Sequence, residues 1–189
     1  GQRVHYLDII ETECMRLSRL SDNLLKLTTL ESEHHPFERK RYRLDKQLRE
    51  VVLAYEPQWL DKSIVMEVSL EETVIVADPD LMNQVWGNLL HNSIKFTPRG
   101  GTISVQLRQR DGEAEVRIAD TGIGIGEEDL PRIFERFHKA DKSRHRTGGG
   151  SGLGLAIVKK IVDLHRGSID AQSKPGDGSV FTVRLPAGK

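Results

Sequence analysis

Residues 88–97 read Asn88-Leu89-Leu90-His91-Asn92-Ser93-Ile94-Lys95-Phe96-Thr97. Asn88, Asn92 and Lys95 stand at i, i+4 and i+7, so on a helix they form one polar stripe, while Leu89, Leu90 and Ile94 take the core side. Asparagine is a poor helix former, and stacking two of them one turn apart implies a use. A carboxamide oxygen is a hard, neutral ligand suited to Mg²⁺, an ion that keeps several waters and takes other ligands from phosphates. A lysine one turn further on can neutralise a terminal phosphate. A solvated helix face accounts for the same stripe, and this stretch alone leaves the two readings level.

Outward from it the chain alternates helix and strand patterns. Asp78-Pro79 is an N-cap followed by proline in the first turn, opening a long helix through Leu81, Val85, Leu89 and Leu90. Upstream, Leu44–Leu60 has one apolar face (Leu48, Val51, Val52, Tyr55, Trp59) with Asp45 at its start, and predicts a single amphipathic helix. Ile64–Leu70 alternates and Val74–Ala77 is apolar, the patterns of two strands. Downstream, Pro98–Gly101 turns the chain into a strand Thr102–Arg108, and Asp111-Gly112 is a hairpin turn into Glu115–Asp120. A helix from Leu153 to His165 and strands Gly167–Ser173 and Ser179–Leu185 close the pattern. Hairpins outnumber crossovers, so the expected fold is α+β: a two-layer α/β sandwich with a mixed, mostly antiparallel sheet and helices on one face.

Three further stretches carry chemistry. A strand ending in Asp120-Thr121-Gly122-Ile123-Gly124-Ile125 lets the backbone approach something flat or anionic, and an ionised aspartate accepts a hydrogen bond from an exocyclic amine. The aspartic-protease reading of Asp-Thr-Gly needs a second such motif or a homodimer in a β-rich fold, and the helical segments argue against it. Gly148–Gly154, running into a helix, suits an anion at a helix N-terminus; a flexible linker would look the same. It is neither a Walker loop nor a Rossmann fingerprint, because no Gly-Lys-Ser/Thr follows and the preceding segment is basic and polar. Between these, Phe134 and Phe137 are spaced to anchor a short helix, and Ala140–Thr147 has little to bury, as expected of a mobile lid over phosphates. His138 and His145 do not fit as metal ligands. The charges after Lys142, Arg144 and Arg146 among them, are read as a solvated loop.

Composition bounds the rest. Of 189 residues 37% are hydrophobic and 30% charged, enough for a sizeable core and against disorder. Lys+Arg and Asp+Glu number 28 each, so no global field favours nucleic acid or a membrane surface. The lone cysteine, Cys14, allows no intrachain disulfide and is read as packing. No apolar run approaches the about 18 residues of a membrane span, and no signal peptide opens the chain, so a cytoplasmic location is expected. Gly1-Gln2-Arg3 leads straight into a helical pattern, which suggests a piece of a longer parent.

From Val4 to about Ser32 the pattern is helical, with Ile10, Leu17 and Leu24 seven apart and Leu20 and Leu27 in a second row broken by Glu13. Such a seam implies a partner helix, with docking on the chain's own second domain as the alternative. His34-His35-Pro36 interrupts it, and Glu38–Arg41 is expected to be a charged linker. The adjacent histidines lack a third ligand at a usable spacing and are read as solvated.

In order, the four chemical stretches resemble the N box, first glycine box, F box and second glycine box of sensor histidine kinases, over roughly Phe37 to Leu185. These kinases are the two-component branch of the ATPases that include gyrase, the heat-shock chaperone of the same fold and the mismatch-repair ATPase. The resemblance implies a Bergerat-type fold and the cofactors ATP and Mg²⁺. Asn92 would be the Mg²⁺ ligand, Asn88 would support it, and Lys95 would contact phosphate, these three forming the catalytic set. Phe96 would flank adenine and Asp120 bind its amine, with Gly122 and Gly124 shaping the purine pocket. Gly150, Ser151, Gly152, Leu153, Gly154 and Leu155 would wrap the phosphates. Ile125, Phe137 and Thr182 complete the implied nucleotide set. Lys139 stands where many members carry a lid arginine; it keeps the charge and loses the bidentate fork.

Asn88 separates the branches, since gyrase-like members resemble one another in having a glutamate there as general base. An amide cannot take that proton at neutral pH, so hydrolysis should be slow and transfer to a protein nucleophile favoured. The resemblance divides the chain into a partial dimerisation and phosphoacceptor helix with linker (1–36) and a catalytic domain (37–189). It implies a response-regulator receiver domain as partner, a homodimer through a four-helix bundle in the full-length parent, and membrane attachment only through other parent regions. The acceptor motif, His then Glu or Asp, Arg and Pro, is not found: His5 is followed by Tyr6, Leu7 and Asp8, and no other histidine fits. Two alternatives remain: an ATP-regulated binding module, and a serine kinase of the same fold acting on an anti-sigma antagonist, against which the leucine seam speaks.

Overall fold

A computed structural model describes residues 2–33, 35–139 and 152–187, with side chains from His5 onward. It opens on α1 (Gln2–Glu31). There follow β1 (Lys40–Arg43), α2 (Leu44–Ala54), α3 (Glu56–Asp61), β2 (Val65–Leu70), β3 (Val74–Ala77) and α4 (Pro79–Phe96). The hairpin β4 (Thr102–Arg110) and β5 (Glu113–Asp120), a 3-10 turn at Leu130–Arg132, α5 (Gly154–Leu164), β6 (Ser168–Lys174) and β7 (Gly178–Pro186) complete the order. Among the described residues no helix is long and apolar enough to cross a membrane.

Five strands form one sheet in the order β2-β4-β5-β7-β6, antiparallel except for the parallel β2–β4 pair, which α4 bridges as a crossover. Period-two alternation sets its faces. Ile103, Val105 and Leu107 of β4, Val116 and Ile118 of β5, and Phe181, Val183 and Leu185 of β7 are all buried, and they pack into one core with α4 and α5. This is the expected two-layer α+β sandwich. The parallel strand β2 lies at the edge, and Val65 and Val68 remain exposed there.

Three local expectations are corrected. Lys40 and Arg41 are not linker: they belong to β1, which pairs antiparallel with β3 through Lys40 opposite Ala77 and Arg43 opposite Val74. The helix expected over Leu44–Leu60 breaks at Tyr55 (φ −94°, ψ 5°), because Pro57 in the first turn of α3 has no N–H to continue the ladder. Trp59 Nε1 then donates to Val52 O at 3.2 Å, folding α3 back on α2. Phe134 and Phe137 anchor no helix: Phe134 meets the Phe181 ring edge-on, whereas Phe137 is exposed at φ +60°.

Asp45 lies in the first turn of α2 but points back to Arg43, accepting from its Nε and Nη2 at 2.7 Å each, and from the Thr73 N–H at 3.2 Å. The Arg43 hydrogen bonds hold this carboxyl down at about 2. They fasten the start of α2 to the loop between β2 and β3.

The leucine seam of α1 is divided. Leu27 and Leu30 are buried and Leu20 is partly buried against the domain core, where α1 meets α5, while Ile10, Leu17 and Leu24 are exposed. Docking on the chain's own domain therefore accounts for one row and leaves the other open. His34 lies outside the described residues. His35, expected to be solvated, has both ring nitrogens buried.

Candidate functional site

Helix α4 begins at Asp78, whose Oδ1 accepts from the Asp80 and Leu81 N–H groups at 3.1 Å each. Burial of Val85, Trp86, Leu89 and Leu90 fixes its rotation and turns Asn88, Asn92 and Lys95 outward as one half-buried stripe. At its end Lys62 Nζ donates to Ile94 O at 2.6 Å and Lys95 O at 3.2 Å, answering the last carbonyls with a charge. Lys95 Nζ sits 5.1 Å from the centre of the Phe96 ring. Burial, and then the charge of Lys139, lower the Lys95 pKa, so two cations converge on this end of α4.

The stripe is tied to the second glycine stretch. Asn88 Nδ2 donates to Gly154 O at 3.2 Å, fixing the N-terminus of α5 beside the middle of α4. Leu153, the N-cap, is fully buried and has no side-chain oxygen to cap the first-turn amides. Gly152, at φ +73°, brings its carbonyl to the Phe137 N–H at 2.9 Å, which joins the F-box segment to the start of α5. Beside that segment His138 Nε2 lies 3.1 Å from Asp129 Oδ1, and Arg136 pairs with Glu31 at the end of α1.

Asp120 ends β5 facing the same space. Burial raises its pKa, and the Gly122 N–H, 2.9 Å from Oδ1, opposes that shift. The loop beyond it is clamped from both sides. Ile123 N–H donates to Phe96 O at 3.2 Å, Gly176 N–H to Ile123 O at 2.9 Å, and Ile125 N–H to Ser173 Oγ at 2.8 Å. A Cβ on Gly122 would stand 2.7 Å from both Asp120 Oδ1 and Phe96 O, and one on Gly124 (φ +71°) would collide with Lys174 O. Both glycines are therefore required by close approach.

The structure brings together Asn88, Asn92, Lys95, Phe96, Asp120, Gly122, Gly124, Lys139, Gly152, Leu153 and Gly154, carried by α4, the loop after β5, and the start of α5. Ile125 and Leu155 are partly buried beside them in packing roles. Gly150 and Ser151 lie outside the described residues, as does the stretch from Ala140 to Gly149. Thr182 is not brought in. It pairs with Arg117 and Asp170 on the strand parity opposite to the inward-facing Phe181 and Val183. Ser179, which sequence reasoning missed, shares the inward parity, is buried, and stands directly opposite Asp120 in the register. His165 was missed too: it is buried at the far end of α5, with Nε2 accepting from the Asp78 N–H at 2.9 Å.

The sequence pattern of the histidine kinase-, DNA gyrase B- and HSP90-like ATPases matches residues 77–189. The chain belongs to that ATPase family. Within the family it is similar to the sensor-like histidine kinase SenX3 of Mycobacterium tuberculosis, 48% identical over 113 residues, which are 60% of this chain and 28% of SenX3. The chain thus spans under a third of that relative's length. Among solved structures, ShkA in complex with AMPPNP matches at TM-score 0.84 and 24% identity, over all of this chain and 40% of ShkA, a likeness of fold. The histidine kinase ThkA, solved in complex with the response regulator TrrA, matches at TM-score 0.79 and 26% identity, over 97% of this chain and 51% of ThkA. The histidine-kinase ATPase domain, α+β sandwich and leading helix alike, is therefore what this chain folds into.

Proposed function

We propose that this ATPase domain binds Mg·ATP between α4, the loop after β5 and the start of α5, and donates the γ-phosphoryl group to a histidine outside these 189 residues. The observation that carries the reading is the Asn88–Gly154 bond, which sets the amide stripe of α4 against a helix N-terminus whose N-cap, Leu153, makes no side-chain cap, with Lys95 and Lys139 alongside. The residues fit the nucleotide. Asp120 supplies an acceptor for the adenine amine, Gly122 and Gly124 leave room for the ring beside Phe96, and the α5 amides with both lysines meet phosphate charge. Asn92 offers the carboxamide oxygen for Mg²⁺, which would neutralise charge between phosphates.

In the transfer the bond from Pγ to the bridging oxygen breaks, a bond from Pγ to an imidazole nitrogen forms, and ADP leaves. Asn88 cannot take a proton from water at neutral pH, so hydrolysis competes poorly. Residues 1–36 would be the second helix of a dimerisation and phosphoacceptor hairpin with its linker, and residues 37–189 the catalytic domain. The exposed Ile10–Leu17–Leu24 row supports a homodimeric bundle in the whole protein. By analogy with ThkA and TrrA, the phosphoryl group would pass on to a response regulator. The domain would work in the cytoplasm.

Calorimetry of Asn92→Ala with Mg·ATP tests the site: binding should lose its Mg²⁺ dependence, and an unchanged affinity would remove Asn92 from the assignment. Incubation with γ-labelled ATP should leave this chain without acid-labile label, since it would be donor only. A stable phosphohistidine on it would overturn the division of labour.

A further inference from the structure

Helices α4 and α5 run antiparallel, tied at one end by Asn88 and Gly154 and at the other by Asp78 and His165. At this second end lies a cavity of about 170 Å³. Its lining joins the buried Ile75 of β3, Leu185 of β7 and His165 to the exposed Pro186, Arg39 and Arg166. Pockets that enclose a drug-sized molecule occupy about 300–1,000 Å³, so this one fits a group of a few atoms and excludes a nucleotide.

The charge on this lining is positive. Arg39 spends its guanidinium on the Phe37 ring, 5.0 Å from the centroid, and on a long 3.5 Å contact to Leu164 O. No ion pair joins Arg39 or Arg166 to a carboxylate among the described residues. The acid beside His165, Asp78, already accepts from the N–H groups of Glu38, Asp80 and Leu81. His165 offers only a ring wall, because Nε2 accepts from Asp78 N–H and Nδ1–H donates to Ile161 O at 2.8 Å. The C-terminus of α5 contributes about half a negative charge, against two full positive ones.

Arg166 supplies an independent sign. It follows the C-cap His165 at φ +56°, and Gly167 N–H reaches back to Val162 O at 3.0 Å. This is the left-handed position at which a helix usually ends in glycine. An arginine there is strained, and strain persists where the surroundings or a function impose it. The residue held in this conformation is an exposed arginine that lines the cavity.

We propose that this cavity is an anion site, distal to the nucleotide, that takes an oxyanion on a short apolar stem: the two guanidiniums grip the anion and Ile75, Leu185 and Pro186 receive the stem. Carboxylate and phosphate share this chemistry, and the probes separate them.

Amide chemical shifts of the ¹⁵N-labelled chain would be followed while butyrate, butyl phosphate or the neutral isostere butyramide is added at constant ionic strength. Saturable shifts at Ile75 and Leu185 are expected from at least one of the two anions and not from butyramide. Arg166→Gly should weaken that binding by roughly tenfold or more. It should also raise the melting temperature by about 2–4 °C, since glycine relaxes the left-handed residue. Mg·ATP affinity should be untouched, so this result stands or falls apart from the nucleotide site. No saturable shift from either anion, equal binding of butyramide, unchanged binding in Arg166→Gly, or a lower melting temperature of that variant would each overturn the proposal.

Discussion

The backbone N–H of Asp78 donates to Nε2 of His165 across 2.9 Å, joining the first residue of the α4 cap to the residue that ends α5. The same aspartate accepts from Glu38 N–H at 3.0 Å through Oδ2, and the Phe37 ring meets His165 edge-on at 4.7 Å. The segment leaving α1 is thereby fastened to both helices that frame the proposed nucleotide site.

That bond requires a neutral imidazole, since a protonated Nε2 would face the Asp78 N–H with a second donor. Burial lowers the His165 pKa below its ordinary 6.5, with the bond to Ile161 O opposing. The unfolded chain then takes up this proton at higher pH than the folded one. The contribution of His165 to stability should be level above about pH 6.5 and fall as the pH drops below it. Urea melts across that range should show a shallower slope for His165→Gln, which at pH 8 should be about 1–2 kcal/mol less stable. Equal slopes would mean that His165 titrates alike in both states.

The Asn88–Gly154 bond makes a ranked prediction. Asn88→Ala removes one donor from a half-buried carbonyl and should cost about 1 kcal/mol. Asn88→Asp puts an acceptor-only carboxylate against Gly154 O and should cost more, about 2 kcal/mol, despite being nearly isosteric. Denaturant melts of the two variants decide, and a milder aspartate would show that the bond does not form in solution.

Gly124→Ala should destabilise the domain by about 2–4 kcal/mol, combining left-handed strain with the collision at Lys174 O. Gly126→Ala, whose Cβ meets only Asp129 Oδ2 at 3.9 Å, should stay within about 0.5 kcal/mol. Gly122→Ala should weaken nucleotide binding by more than it weakens the fold, because its Cβ intrudes between Asp120 and Phe96. Calorimetry and melting of the three variants together would expose any reversal of that order.

Leu27→Ala, at 2% exposure, should cost about 2–4 kcal/mol if α1 is docked on the domain in solution. Leu17→Ala, at 57%, should change monomer stability by less than about 0.5 kcal/mol. Equal effects would mean that the two rows are covered alike.

Local periodicity made much of this legible. The α4 stripe could be read because helical spacing and the buried leucines agree, and the β4–β5 hairpin because Asp111-Gly112 separates two alternating runs. Strand β1 could not: Lys-Arg-Tyr-Arg has no alternation, and its partner is the backbone of β3. The α2–α3 break had its signal in Pro57, outweighed by a continuous apolar face. The parity of Thr182 was legible too, since Phe181, Val183 and Leu185 assign odd numbers, Ser179 among them, to the inner face. The bonds from Asn88 to Gly154 and from Asp78 to His165 span 66 and 87 residues, beyond anything local spacing can express.

The division of α1 has a consequence for the helix itself. Residues 5–19 are exposed throughout, with Tyr6, Leu7, Ile9, Ile10, Met15 and Leu17 all facing water. A helical segment of about 15 residues without tertiary support is marginal, as each residue fixed gains little beyond its own hydrogen bond. The upstream part of α1 should therefore be a conditional helix, fraying in dilute solution and ordering when something apolar covers it, while the part from Leu20 onward stays wound by the domain. Order in this segment would then report on occupancy of its open row, and helicity measured against protein concentration would rise in the first 19 residues alone.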